Sequence, residues 1–266
     1  MIIIGERINT SRKAIAPAVA SRDEAFIRTE ARRQLEAGAA FIDVNCGTMV
    51  DEEPDFLEWL VRTVQEATDG APCSLDSPNP RALERALAAH RGKPIVNSIT
   101  AEKERLEAIL PLVRDHRTGI IALAMNDDGM PETAEERFAI AAGLVERLTG
   151  VGIPIEDIYL DPLVRPVSTG VHYGRVVFET IQRIHQEFSG IHTVCGLSNI
   201  SFGLPARKII NHTFLVMAMA AGLDSAILDP LDKRLMSLVY ATELLLEKDD
   251  YAMNYITAFR EEKLDV

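Results

Sequence analysis

The sequence predicts an α/β fold, a (β/α)8 TIM barrel, and three observations predict it. Short apolar runs recur along the 266 residues, and eight of them close on a polar residue: Glu6, Asp43, Asp76, Asn97, Asn126, Asp161, Asn199 and Asp229. These closing residues stand 21–38 residues apart, close to one strand-plus-helix unit each time. Each run is followed by helix-like sequence, and about 250 residues is the usual length of such a barrel. No Ser/Gly/Pro-rich linker or shift in composition divides the chain, so a single domain over 1–266 is expected.

The first strand is Ile2-Ile-Ile4, leaving through Gly5-Glu6-Arg7-Ile8-Asn9. Ser21-Arg-Asp-Glu24 has the spacing of a capping box and predicts a helix from there to Gly38. The second strand, 40–45, turns at Cys46-Gly47, and a helix over 54–68 gathers Phe56, Leu57, Leu60, Val61 and Val64 on one side. The third strand ends on Leu75-Asp76-Ser77; Asn79-Pro80 then reads as an N-cap with proline at the first helical position. The fourth strand, 94–97, precedes a helix over 102–116. The fifth, 119–125, leaves through Asn126-Asp-Asp-Gly129, and Thr133-Ala-Glu-Glu136 is a second capping box. The sixth strand, 157–161, opens into a long loop, Pro162 to Gly170, of a length that usually carries function. A helix over 173–188 leads to the seventh strand, which starts at His192, holds Cys195 inside it and stops on Gly196-Leu-Ser-Asn199. A helix over 208–221, a strand over 226–229 and a last helix from Pro230 complete the order.

Composition narrows the function. With 28 basic and 40 acidic residues the net charge is −12, and no basic stripe is present, so neither nucleic acid nor an anionic membrane is an expected partner. Met1-Ile-Ile-Ile4 is too short for a secretory signal, and no apolar run approaches the roughly 18 residues of a membrane span. Three cysteines without a CxxC pair fit reduced thiols, and a cytoplasmic protein is expected.

Barrel sites draw on the carboxyl ends of several strands. Side chains two residues apart share a strand face, so Asp76, Asn97, Asp161 and Asn199 can converge. Together they offer hydrogen bonds to a flat, nitrogen-rich ring: a carboxylate can take two parallel N–H bonds, and an amide both donates and accepts. Structural roles compete with this reading. A strand-end Asp is often the N-cap of the next helix, the preferred reading for Asp229 ahead of Pro230. Asn199 can tie down a turn, Asp43 and Asn45 can be rim structure, Glu6-Arg7 reads as an ion pair closing the barrel, and Arg207 can be a solvated helix start. Other barrel chemistries fit worse. None of the seven lysines ends a strand, as a Schiff-base aldolase requires. No Cys/His cluster marks a zinc site, and no metal is expected. The single tryptophan, Trp59, falls on an outer helix rather than in a sugar-binding platform.

Several segments carry a resemblance: Ile3-Ile-Gly-Glu-Arg-Ile-Asn9, Asp43-Val-Asn45, Cys73-Ser-Leu-Asp-Ser77, Asn97-Ser98, Met125-Asn126, Leu160-Asp-Pro-Leu163, Gly196-Leu-Ser-Asn199, and Arg207 with Asn211-His-Thr-Phe-Leu-Val-Met-Ala-Met219. In this order the chain resembles the methyltetrahydrofolate:corrinoid-protein methyltransferases, relatives of the pterin-binding domain of cobalamin-dependent methionine synthase. The resemblance implies a pterin-binding, dihydropteroate synthase-like barrel, usually a homodimer. It implies Asp76, Asn97 and Asp161 on the pterin ring, Gly196, Ser198 and Arg207 as further substrate contacts, and Asn199 beside N5 as the catalytic group. Glu6, Asp43, Asn45, Asn126 and Phe202 are candidates for the rim. The implied substrate is methyltetrahydrofolate or tetrahydrofolate, and the implied co-substrate is cobalamin, a corrinoid, carried by a separate corrinoid protein. No Asp-x-His-x-x-Gly anchor for a corrinoid is present; Asp115-His116-Arg117 has the wrong spacing. Two positions depart from the acetogen-type pattern, Phe202 where Gln is usual and His212 where Arg is usual. The direction of transfer is open at this level. The alternatives are a dihydropteroate synthase, for which the basic rim candidates are Arg7, Arg165 and Arg207, and a non-catalytic folate or corrinoid-protein binding module.

Overall fold

A computed structural model describes residues 1–265; Val266, the last residue of the expected domain, lies outside them. The elements run β1 (Ile2–Asn9), α1 (Ile15–Ala20), α2 (Glu24–Glu36), β2 (Phe41–Asn45), α3 (Glu53–Ala67), β3 (Cys73–Asp76), α4 (Pro80–Ala89), β4 (Ile95–Thr100), α5 (Lys103–His116) and β5 (Gly119–Leu123). They continue with α6 (Ala134–Gly150), β6 (Ile158–Asp161), α7 (Tyr173–Glu187), β7 (His192–Thr193), α8 (Arg207–Ala221), β8 (Ser225–Leu228), α9 (Lys233–Leu245) and α10 (Met253–Arg260).

Every paired strand is parallel, in the order β7-β6-β5-β4-β3-β2-β1-β8. The ring closes between its two ends: the Ile227 N–H donates to Cys195 O at 2.9 Å, and Gly196 bridges to Ile227. A (β/α)8 barrel is therefore the architecture, as the spacing of the strand ends predicts. The larger core lies between strands and helices, where Val44, Leu75, Val96 and Leu160 meet Leu57, Leu83, Ile109 and Leu144. A second, smaller core fills the barrel itself with Ile4, Ile95, Ile121, Tyr159 and Val194. Because faces alternate, two residues beyond Ile4, Ile95 and Tyr159 the same strands present Glu6, Asn97 and Asp161. The site stands on that step from apolar to polar side chains.

Helix starts follow local chemistry. Asn79 accepts from the Arg81 N–H at 3.0 Å, and Thr133 and Glu136 make the full reciprocal box at α6. Two expectations are corrected. The helix expected from Ser21 starts at Glu24, capped by Asp23, which accepts from Phe26 N at 3.0 Å. Ser21 instead terminates α1, a turn of helix formed by the apolar run from Ile15, and its hydroxyl donates back to Pro17 O. The seventh strand is two residues long, so Cys195 follows it rather than lying inside it. Asp224 secures this short strand by accepting from the Thr193 N–H at 2.9 Å and facing His192 Nδ1 at 2.6 Å. No helix among the described residues is long and apolar enough to cross a membrane.

Candidate functional site

At the carboxyl ends of the strands lies a cavity of about 530 Å3. Its lining brings together Asp76, Asn97, Asp161, Gly196, Ser198, Asn199 and Arg207, all sequence candidates, with Glu6 and Asp43 from the rim set. Asn9, Ser11, Arg12 and Ile227 also line it, and sequence reasoning does not single them out. The available signal is Ile8: β1 is irregular between Gly5 and Ile8 and runs on to Asn9, so the chain after Glu6 stays on the barrel wall.

The carboxylates are tied down by neighbours. Asp43 is buried and accepts from Ser74 Oγ at 2.8 Å and from Asn97 Nδ2 at 3.4 Å. Burial, and then the charge of Asp76, hold its carboxyl well above the ordinary range, against the pull of those two bonds. Asp76 accepts from Asn45 Nδ2 at 2.9 Å, so Asn45 acts on the site through Asp76. Burial raises Asp76 too, opposed first by the Asn45 bond and then by the Arg105 charge. Asp161 accepts from the Leu163 N–H at 2.8 Å, and burial pushes it up to about 7, against that bond and the charge of Arg137. Burial also raises Glu6, with Arg12 acting in the opposite sense. The floor is thus a set of acidic groups whose pKa values burial raises, facing an open mouth.

The other wall is the turn Leu197–Ser201, which carries Asn199. Arg207, at the start of α8, anchors it: Nε donates to Ser201 Oγ at 3.0 Å and Nη2 to Ser198 O at 2.6 Å. Arg207 is therefore a bracing residue as well as a cavity wall, not merely a solvated helix start. Asn199 is exposed, and Gly196 beside it leaves room for its amide: a β-carbon at 196 would lie 3.3 Å from Asn199 Nδ2.

Other candidates fall elsewhere. Asn126 makes a local turn, accepting from the Asp128 N–H at 3.1 Å, and does not line the cavity. Phe202 is 65% exposed outside the lining, with its ring 5.8 Å from the Arg207 guanidinium. Glu6 and Arg7 are not a pair, because adjacent residues on a strand point to opposite faces. Arg7 bonds Glu30 and Asp229, each at 2.8 Å, while Glu6 faces Arg12 at 3.6 Å. Asp229 is held by Arg7 and Arg12, and α9 is capped by Asp232 instead. His212 faces Asp232 at 3.2 Å in an adjoining cavity of about 340 Å3 that shares Glu6 and Ser198 with the first. Among the described residues, no group of three or more His, Cys, Asp or Glu side chains is placed to hold a metal ion.

Residues 5–229 match the family described as pterin binding enzyme. The methylcorrinoid:tetrahydrofolate methyltransferase of Eubacterium limosum is 36% identical over 266 residues, covering 99% of this chain and 98% of that protein. The methionine synthase of Mycobacterium tuberculosis is 31% identical over 242 residues, covering 85% of this chain and 20% of that much longer protein. Among solved structures, dihydropteroate synthase from Xanthomonas albilineans superposes with a TM-score of 0.69 at 17% identity, covering 92% of each chain. That from Thermus thermophilus superposes with a TM-score of 0.66 at 19% identity, covering 92% of this chain and 93% of that one. At such identities these structures bear on the fold alone.

Proposed function

The chain belongs to the pterin-binding enzymes, and from that premise we propose that it moves a methyl group between N5 of tetrahydrofolate and the cobalt of a corrinoid carried by a separate protein. The observation that carries the reading is one open cavity lined by Asp76, Asn97, Asp161 and Asn199 together. It is supported by the full-length match to a protein named for this transfer. That name has tetrahydrofolate as the acceptor, which supports transfer from the methylcorrinoid to folate as the working direction.

In this reading the amino-pyrimidinone edge of the pterin donates to the carboxylates of Asp161 and Asp76, and Asn97 completes the set. Such charge-assisted bonds fix a planar edge in one orientation. Gly196 and Ser198 border the N5 side, and Arg207 holds the turn that presents Asn199. When N5 accepts the methyl group, a C–N bond forms, the bond from carbon to cobalt breaks with its electron pair staying on cobalt, and the N5 proton leaves to solvent. In the reverse direction nitrogen departs from carbon and must gain a proton or hydrogen bond as it does so. Asn199 serves both, since its amide oxygen can accept the N5–H and its Nδ2 can donate to the N5 lone pair.

The corrinoid is a substrate brought by its carrier. Asp115 and His116 end α5 on the outside of the barrel and are exposed, far from a role in anchoring one. The basic residues that a pyrophosphate-releasing synthase would use are engaged otherwise: Arg7 with Glu30 and Asp229, Arg165 with Glu132, and Arg207 with Ser198 O and Ser201. A homodimer and a cytoplasmic setting complete the proposal; the first rests on the family resemblance, the second on three buried free thiols.

The test is transfer of label. The protein is incubated with tetrahydrofolate and methylcobalamin bearing a 13C methyl group, and the folate is examined by mass spectrometry. Enzyme-dependent appearance of 13C-methyltetrahydrofolate supports the proposal. Folate binding without any label transfer in either direction would leave a binding module as the reading.

A further inference from the structure

Arg137 of α6 is completely buried, yet no carboxylate bonds it. Its Nη1 donates to Pro162 O at 3.0 Å and Leu163 O at 2.8 Å, and its Nε donates to Pro131 O at 3.3 Å. Its Nη2 is buried with no partner among the described residues. The guanidinium lies 5.9 Å from the centre of the Tyr173 ring, and that of Arg165 lies 4.1 Å from the same ring. Burying a cation on carbonyl oxygens alone is expensive. What the cation holds is the exit of β6. Leu163 sits there at φ +60°, a left-handed conformation unusual for a leucine. That turn aims the Leu163 N–H at Asp161, to which it donates at 2.8 Å.

We infer that Arg137 is a positioning residue for the pterin site: by gripping the Pro162 and Leu163 carbonyls from behind, it holds the turn that points the Asp161 carboxylate into the cavity. The inference rests on the reading above, in which Asp161 takes the pterin edge. The grip extends to the opposite wall. The loop it starts donates from Val167 N to Ile200 O at 2.9 Å and from Ser168 Oγ to Phe202 O at 2.7 Å. Asn199 and Asp161 are thus braced by one loop, and Arg137 is that loop's buried anchor.

Charge provides the discriminating readout. The titratable groups around Asp161 are Arg137 from α6, Cys195 after β7, Glu6, Asp43 and Asp76 around the cavity, and Arg12 and Arg207 at its mouth. Burial raises Asp161 to about 7, and Arg137 is the cation that opposes this. Without Arg137 the carboxyl rises further, whereas loss of a purely structural residue leaves its titration in place. Binding the amino-pyrimidinone edge requires the ionised carboxylate, so folate affinity climbs as pH rises through the Asp161 pKa.

The experiment is calorimetric titration of tetrahydrofolate into wild type, Arg137→Met, Arg137→Lys and Asp161→Asn, from about pH 5.5 to 9. The wild-type affinity is expected to climb around neutral pH. Arg137→Met should move the climb to higher pH and weaken binding at neutral pH by about tenfold. Arg137→Lys, which keeps the charge but lacks the planar fork and the Nε donor that reaches Pro131 O, should leave the climb in place and weaken binding by about threefold. A folded Arg137→Met whose climb stays at the wild-type pH overturns the inference. If that variant does not fold, unchanged affinity in Arg137→Lys overturns it, and the threefold loss supports it. Asp161→Asn separates the two levels of argument. If it binds folate as wild type does, the role of Asp161 fails; if it flattens the climb while Arg137→Met does not move it, the inference about Arg137 alone fails.

Discussion

A β-carbon placed on Gly196 would stand 3.3 Å from Nδ2 of Asn199, tighter than most real contacts of that kind. The backbone at 196 is at φ −71°, which any residue adopts, so the glycine is explained by space for the amide and not by its conformation. Gly196→Ala should therefore fold with little change in melting temperature but displace the Asn199 amide by a few tenths of an ångström. A misplaced donor at a reacting centre is costly, and methyl transfer should slow by about tenfold. Thermal melts together with single-turnover rates check this; an unchanged rate would show that Asn199 needs no such room.

Asp161 should trade stability for function. Burial raises its folded pKa to about 7, above the roughly 3.9 of an unfolded Asp. Between those values the folded state holds more protons than the unfolded, so this group makes stability fall as pH rises from about 4 to 7. Asp161→Asn keeps an oxygen for the Leu163 N–H and removes the buried charge. It should melt a few degrees above wild type at pH 7–8, at about 2–4 °C per kcal/mol for a chain of this size, and the difference should vanish near pH 4. Melting curves across that range decide it; a variant that melts below wild type at pH 8 would contradict the assignment.

The seam between β7 and β8 predicts a pH window rather than a one-way drift. His192 Nδ1 lies 2.6 Å from Asp224, and the ring stacks on Tyr159 with centroids 4.7 Å apart. The bond to Asp224 raises His192, against burial. Burial alone would raise Asp224, but the bonds from His192 and Thr193 bring it below its ordinary value. A raised His stabilises fully below its unfolded pKa of about 6.5 and loses that contribution as pH rises through its folded pKa. The lowered Asp contributes above about 3.9 and loses it as pH falls through its folded value. Asp224→Asn should therefore destabilise most between about pH 4 and 6.5 and least at pH 9. Equal destabilisation at all pH values would mean that the pair carries no charge interaction.

How much of this is legible in the sequence depends on range. The eight strand-plus-helix units are readable because each is a local event, an apolar run meeting a polar residue, and Asp43, Asp76, Asn97 and Asp161 follow from strand alternation, whereas Asn199 stands in a turn after a strand of two residues. Asn9, Ser11 and Arg12 are hidden because β1 continues past its irregularity at Gly5–Ile8, where the period-two pattern breaks. The partners of Arg7 cannot be read because Glu30 and Asp229 lie 23 and 222 residues away. Asn126 misleads for the opposite reason: a strand-end amide followed by Asp-Asp-Gly satisfies itself locally. Arg137 looks like an ordinary helical arginine, since nothing local signals that a charged residue after a capping box turns inward to another unit's carbonyls.

The most direct measurement is single-turnover reaction of methyltetrahydrofolate with free cob(I)alamin, followed by loss of the Co(I) absorbance in wild type and Asn199→Ala. A preorganised donor that acts mainly in the transition state typically contributes about a hundredfold or more, and its loss lowers kcat and kcat/KM together. The account predicts folate-dependent loss of Co(I) with wild type, and a rate lower by about a hundredfold with Asn199→Ala while folate affinity changes much less. Its contradiction would be a folded wild-type protein that binds folate and leaves the Co(I) absorbance unchanged, or an Asn199→Ala variant that transfers methyl as fast as wild type.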